Sequence, residues 1–219
     1  MMKGSNIIAA LRRHFPDPRI ELDHRNAFEL IIAAILAAQA TDKKVNEVTP
    51  QLFQRYPTPR DLAAADLSDL KPIIQPLGFF NAKSVSIKRC SQDIIDMYGG
   101  RIPDTIEELT RLYGVGRKTA SVILVTIFHK PALVVDTHVV RLARERWCLS
   151  RGKTADQIER DLAQVFDRKD WVYVSHALVL FGRHVCTAKK PQCPQCHLLK
   201  ICPFDGKTKD AGPAGAKKT

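Results

Sequence analysis

Apolar residues recur along this chain at spacings of three and four, the period of a helix with one buried face. The stretch AFELIIAAILAAQA (27–40) is apolar on almost every side and predicts a helix at the centre of a core. TDKKVNEVTPQLFQRY follows, with Thr41 or Asp42 placed to cap its start. Pro57, Pro59, Pro72 and Pro76 predict short connections between further helices. FNAKSVSIKRCSQDIIDMYG predicts another amphipathic helix, closed by Gly99 and Gly100. IPDTIEELTRLYG opens with Asp104 and Glu107, three residues apart, as a capping signature. The N-terminal MMKGSNIIAALRRHF has amphipathic helical spacing as well. No run alternates as a strand does; ALVVD (132–136) is short and β-branched, and the helical pattern resumes directly after it. The pattern therefore predicts an all-α chain without internal repeats.

Composition narrows the class. At 219 residues the chain suits one large domain or two small ones, and 45% apolar content marks it as globular. Thirty-four Lys and Arg stand against 23 Asp and Glu, a net charge of +11, which favours a polyanion such as nucleic acid or an anionic membrane surface. The longest apolar run, Leu30 to Ala38, is too short to span a bilayer, and no signal-peptide core precedes the first helix. An intracellular, reducing location is expected. The final stretch GKTKDAGPAGAKKT (206–219) has no large apolar residue and is expected to be a disordered basic tail.

Six cysteines are present, and four fall in one run, CTAKKPQCPQCHLLKIC: Cys186, Cys193, Cys196 and Cys202. Cys90 and Cys148 are isolated and read as small core or helix-face residues. In a reduced compartment four clustered thiols point to a metal site rather than disulfides. The spacing C-x6-C-x2-C-x5-C has a single C-x-x-C pair, whereas four-thiolate zinc sites usually have two; it leans toward a [4Fe–4S] cluster and leaves zinc open. His184 and His197 flank a set that is already complete with four ligands. Lys189 and Lys190, between the first two cysteines, present charge to a polyanion from a metal-pinned loop, or keep that loop soluble.

A second constellation is LYGVGRKTA (112–120), a glycine hairpin between two helical patterns. Gly114 and Gly116 around Val115 allow close backbone approach, and amides at a helix start bind anions. With Arg117 alongside, the stretch reads as a phosphate clamp that grips DNA backbone without reading bases; the alternative is a tight turn alone. Lys118 is either a further phosphate contact or a nucleophile. Attack needs the neutral amine, which the positive helix end, Arg117 and partial desolvation favour and bound phosphates oppose. Asp136, in LVVDTHVVRLARERW, is an N-cap, a catalytic carboxylate near the reacting amine, or both.

Taken together, ILAAQATD (35–42), LGFFNAK (77–83), LYGVGRKTA, VVDTHVVRLARE (134–145) and the cysteine run resemble the endonuclease III family, the bacterial branch of the helix-hairpin-helix DNA glycosylases, over roughly residues 5 to 205. The resemblance implies a two-domain glycosylase fold: a six-helix barrel domain at 21–131 with the hairpin, and a discontinuous iron–sulfur domain from 1–20 and 132–205. It matches Lys118 to the catalytic lysine, Asp136 to the catalytic aspartate and the four cysteines to the ligands of a structural [4Fe–4S] cluster. It matches Gln39 to a residue filling the gap left by an extruded nucleotide, and places Leu77 and Phe79 in a loop that wedges into the duplex. The implied activity is removal of oxidised pyrimidines, with strand cleavage by β-elimination through a lysine Schiff base. The implied partner is double-stranded DNA with damaged bases or abasic sites, met by a monomer in the cytoplasm while it searches the bacterial nucleoid. A pyrimidine-dimer glycosylase would share every motif, and a non-catalytic iron–sulfur DNA-binding protein is the reading outside enzymes. An adenine-mismatch glycosylase would lack lysine at position 118 and extend further beyond the cysteines. Two departures stand out. Tyr113 occupies the usual proline of the hairpin, and the wedge position carries Phe79 instead of leucine.

Overall fold

The computed structural model describes residues 2–208, and among them every regular element is helical. The chain forms two compact units. One is contiguous, Ile20–Lys130; the other is split, joining Met1–Arg19 to the chain from Pro131 onward.

The contiguous unit is built around α2 (Ala27–Leu36), whose Leu30, Ile31, Ile32 and Leu36 are fully buried. It packs on α3 (Asp42–Arg55), α6 (Phe80–Tyr98) and α8 (Arg117–Ile127). Between them lie α4 (Pro59–Ala64), α5 (Leu67–Ile74) and α7 (Ile106–Leu109), each short because its start and stop signals lie close together. Asn26 caps α2 through the Glu29 amide, and the buried Glu29 carboxylate is held by the Arg25 guanidinium at 2.6 Å and the Arg25 amide at 2.7 Å. Without those partners a carboxylate in that position would oppose folding. Thr41, rather than Asp42, caps α3.

Three local expectations are corrected. The predicted helix over 27–40 ends at Leu36, because Ala38 and Ala40 bond in tighter turns and Gln39 adopts φ 55. Pro72 lies inside α5 instead of ending an element, removing one amide after the first helical turn. The cap of α7 is Thr105: its hydroxyl accepts from the Glu108 amide and donates to the Glu108 carboxylate at 2.8 Å. Asp104 is drawn away by Lys130, 2.6 Å distant, so the cap lies one residue later than expected.

The split unit gathers α1 (Gly4–His14), α9 (Thr137–Val140), α10 (Ala155–Val165) and α11 (Trp171–Leu180) around Ile7, Leu11, Leu142, Trp147, Ile158, Leu162, Val174, Phe181 and Leu198. Wider π-type turns continue α9 through Arg141–Arg146 and α11 through Phe181–Val185. A capping box at Thr154 and Gln157 starts α10. The first residue of α1, Gly4, packs against the end of α10 so closely that an added Cβ would collide with the Val165 carbonyl oxygen. Gly4→Ala is expected to cost about 2–3 kcal/mol by overpacking, a fall of roughly 5–10 °C in melting temperature. Thermal unfolding followed by circular dichroism checks it, and an unchanged midpoint would contradict this packing.

Among the described residues no helix is long and apolar enough to cross a membrane. Residues 209–219 of the expected tail lie outside the described residues, but its start is engaged. The Thr208 hydroxyl donates to the Pro191 carbonyl at 2.7 Å and accepts from the Cys193 amide at 3.3 Å. The expected disorder therefore does not begin at 206.

Candidate functional site

The hairpin is anchored from below by Leu112 and Val115, both buried, with the Val115 amide donating to the Leu112 carbonyl at 3.1 Å. Between them Gly114 takes φ 80, a conformation that side chains with a Cβ resist. Its position against Ile35 and Ser86 seats the hairpin on α2 and α6. Gly116 is the N-cap of α8 and supplies no side-chain acceptor, so the first-turn amides of this 11-residue helix lack a side-chain cap. Arg117 and Lys118 in that first turn are exposed, and burial begins only at Ala120. The expected partial burial of the Lys118 amine is thus not seen in the free protein: Thr119 separates it from Ala120, the first buried residue of α8.

Gln39 and Phe79 share an uncommon feature. Both adopt left-handed backbone, φ 55 and φ 49, and both are exposed, Phe79 to 67%. Non-glycine residues held this way carry strain of order 1–3 kcal/mol that the surrounding structure must impose, and such residues cluster at ligand-contacting positions. Leu77 differs from Phe79. It is buried at the end of a 3-10 turn (Gln75–Leu77), so its side chain supports the loop from within. Lys83 completes this support: its buried amine donates to the Leu77 carbonyl at 3.0 Å, and burial lowers its pKa.

Asp136 belongs to the split unit and Lys118 to the contiguous one. Half-buried Asp136 caps α9, its Oδ1 accepting from the amides of His138 and Val139, each at 2.9 Å. Two backbone bonds fix the orientation of this carboxylate and leave its second oxygen outside the cap.

The four cysteines Cys186, Cys193, Cys196 and Cys202 line one pocket, walled by Trp147, Phe181, Val185, Leu199 and Phe204. All four thiols are half-buried. Burial pushes the Cys186 thiol up to about 11; Arg146 opposes this, and the other three cysteines add to the rise. Burial also raises Cys196. Burial thus makes the Cys186 and Cys196 thiols resist ionisation, and a cationic metal would relieve that resistance. Among the described residues no three His, Cys, Asp or Glu side chains converge on a point that would hold one ion. Lys189 and Lys190 project from this loop, exposed.

Residue patterns missed two features. Arg146 is buried beside the pocket, its guanidinium 3.7 Å above the Phe204 ring and donating to the Ala188 carbonyl at 3.0 Å. Arg141 donates to the carbonyls of Gly182 at 2.6 Å and Cys186 at 3.1 Å. Both arginines fall in RLARER, where helical periodicity offers no hint of a cysteine loop that lies about 40 positions later. Cys148, read as core or helix face, is exposed with φ 52 just beyond that turn, whereas Cys90 is fully buried.

Comparison with known proteins agrees with this architecture. The family described as HhH-GPD superfamily base excision DNA repair protein matches residues 32–168. Endonuclease III of Bacillus subtilis is 40% identical over 188 residues, 86% of each chain. Endonuclease III of Escherichia coli K12 is 36% identical over 205 residues, 94% of this chain and 97% of its own. Among solved structures, a trapped endonuclease III–DNA covalent intermediate, an estranged-adenine complex, superposes with a TM-score of 0.85 at 39% identity, covering 93% of this chain and 97% of that one. A glycine hairpin leading into an exposed lysine, on an all-helical scaffold shared over nearly its full length with these relatives, places this chain in the endonuclease III family of the HhH-GPD superfamily of base excision DNA repair proteins.

Proposed function

We propose that this DNA glycosylase removes oxidised pyrimidines and cleaves the resulting abasic site, with Lys118 as nucleophile. The observation that carries the reading is the placement of Lys118: exposed, in the first turn of α8, directly after a hairpin whose N-cap, Gly116, supplies no side-chain cap to the helix. The first-turn amides suit a DNA phosphate, and the same grip holds the deoxyribose within reach of the amine.

A base inside the stack cannot be reached, so the damaged nucleotide leaves the duplex first. Gln39 fills the space it vacates, and Phe79 enters between base pairs. Left-handed backbone and exposure at both positions support these roles. The neutral Lys118 amine then bonds C1′ as the glycosidic C1′–N bond breaks, its electron pair leaving with the base, which takes up a proton. Ring opening yields the protonated imine. Loss of a C2′ proton followed by departure of the 3′ phosphate oxygen cleaves the strand. Asp136, held by two backbone amides, stabilises positive charge developing on the sugar and assists proton movement. Lys189 and Lys190 contribute phosphate contacts from the cysteine loop.

Cys186, Cys193, Cys196 and Cys202 would hold a [4Fe–4S] cluster; four cysteines lining one largely apolar pocket supply the donor set that such a centre takes. When bound, the cluster supplies structural cross-linking of the loop.

Borohydride capture on a duplex with an abasic site tests the nucleophile, because only an imine is reduced to a stable protein–DNA adduct. A panel of duplexes, each with one oxidised, deaminated or dimerised base, tests the lesion; selective release of a dimerised base would replace the oxidised-pyrimidine reading. Phe79→Ala is expected to weaken binding to a lesion duplex about 5- to 100-fold, as loss of one stacked aromatic does. Equal affinity, measured by fluorescence anisotropy, would remove Phe79 from the wedge.

A further inference from the structure

Tyr113, which stands where the hairpin motif usually has proline, is tied into α6 twice. Its amide donates to the Asp93 carboxylate at 2.7 Å, a bond that proline could not make. Its ring lies under the Arg89 guanidinium, 4.3 Å from the centroid. Arg89 and Asp93 are four residues apart on α6, the spacing at which such a pair ordinarily forms a salt bridge. Here Asp93 is diverted to the hairpin amide, and among the described residues Arg89 has no ion-pair partner. The guanidinium is exposed, and its N–H groups are left uncommitted by the stacking contact, which uses only its face.

The location gives this arrangement a ligand. Gly114 of the hairpin rests on Ser86, one helical turn before Arg89 on the same side of α6. Exposed Val85 and the protruding Phe79 precede them along that helix. A fixed cation therefore stands beside amides already suited to a phosphate. We infer that Arg89, oriented by the Tyr113 ring, is an additional DNA-backbone contact that binds a phosphate neighbouring the one held by the hairpin. Tyr113 acts as a positioning residue, and Asp93 replaces the rigidity that proline would confer on the turn. The inference deepens the reading of the hairpin as a DNA clamp and rests on it.

The test is binding of the full chain to an undamaged duplex across a salt series, which needs no lesion chemistry. Each phosphate neutralised contributes about −0.9 to the slope of log K against log salt, so Arg89→Ala should make that slope shallower by about 1 and weaken low-salt binding roughly 3- to 10-fold. Tyr113→Leu, which keeps the amide bond to Asp93 and removes the aromatic face, should weaken binding in the unmutated background and have no effect once Arg89 is alanine. Tyr113→Phe should match the unmutated chain. An unchanged slope in Arg89→Ala overturns the proposal, whether affinity holds or falls, since a purely structural residue would not alter ion release. Additive effects of Arg89→Ala and Tyr113→Leu overturn the positioning role. Borohydride capture by the unmutated chain reports separately on Lys118: a missing adduct would end the lyase reading while the Arg89 slope kept its meaning.

Discussion

Lys118→Gln is expected to abolish borohydride capture on abasic-site DNA and to lower strand cleavage by at least about 1,000-fold, the scale on which removal of a nucleophile acts. The reason is chemical. An amide nitrogen has its lone pair delocalised and cannot form an imine with C1′. Glutamine is a good helix former of similar reach, and Lys118 is an exposed first-turn position, so α8 should be undisturbed. The hairpin amides come from the backbone and survive the change. Binding to an abasic-site duplex should therefore fall less than about tenfold, roughly the contribution of one phosphate-facing charge. Gel analysis of trapped adducts, beside anisotropy on the same duplex, separates the two quantities. Persistent adduct in the glutamine variant would reject Lys118 as the nucleophile. Loss of binding in parallel with cleavage would return the residue to its alternative role as a phosphate contact.

A second large effect is expected at the cysteine loop. Cys196→Ser should remove the visible absorbance and iron content of the purified protein and destabilise the split unit by several kcal/mol, on the order of 10 °C in melting temperature. The loop has little to hold it otherwise. Its regular structure is a single 3-10 turn, Cys193–Gln195, and its apolar contribution to the core comes chiefly from Leu198. Leu198 is positioned through its neighbours: its amide points to the Cys196 sulfur, and its carbonyl accepts from the Cys202 amide at 2.9 Å. The His197 amide meets His14 Nε2 at 3.3 Å, tying the loop to α1. Removing a ligand thus loosens a core residue and the junction with the N-terminal helix together. Metal analysis of the unmutated chain decides the centre itself; a full complement of zinc with no iron would overturn the cluster assignment.

Much of this molecule was legible in one dimension, and the part that was follows a rule. Features encoded within a few consecutive residues could be read directly: the almost wholly apolar α2, the hairpin glycines before α8, the capping role of Asp136 and the gathering of four cysteines in 17 positions. Each depends on backbone geometry or ligand chemistry that neighbours in sequence largely determine. Smaller errors, the early end of α2 and the shift of the cap from Asp104 to Thr105, arose where a distant or competing partner entered, as Lys130 did for Asp104. Leu77 and Phe79 are two residues apart in one apolar loop, yet one is buried and the other 67% exposed. No local property separates them; the left-handed turn at Gly78 and Phe79 and the Lys83 amine beneath it do. Arg146 beside the cysteines and Arg89 on Tyr113 were equally invisible, because long cations look alike in sequence until packing decides which carbonyl, ring or solvent each one meets. Local propensity and spacing, acting through short-range bonds, thus determined the elements and the reactive residue types, while burial and partnership across long separations decided which side chains are presented to a ligand.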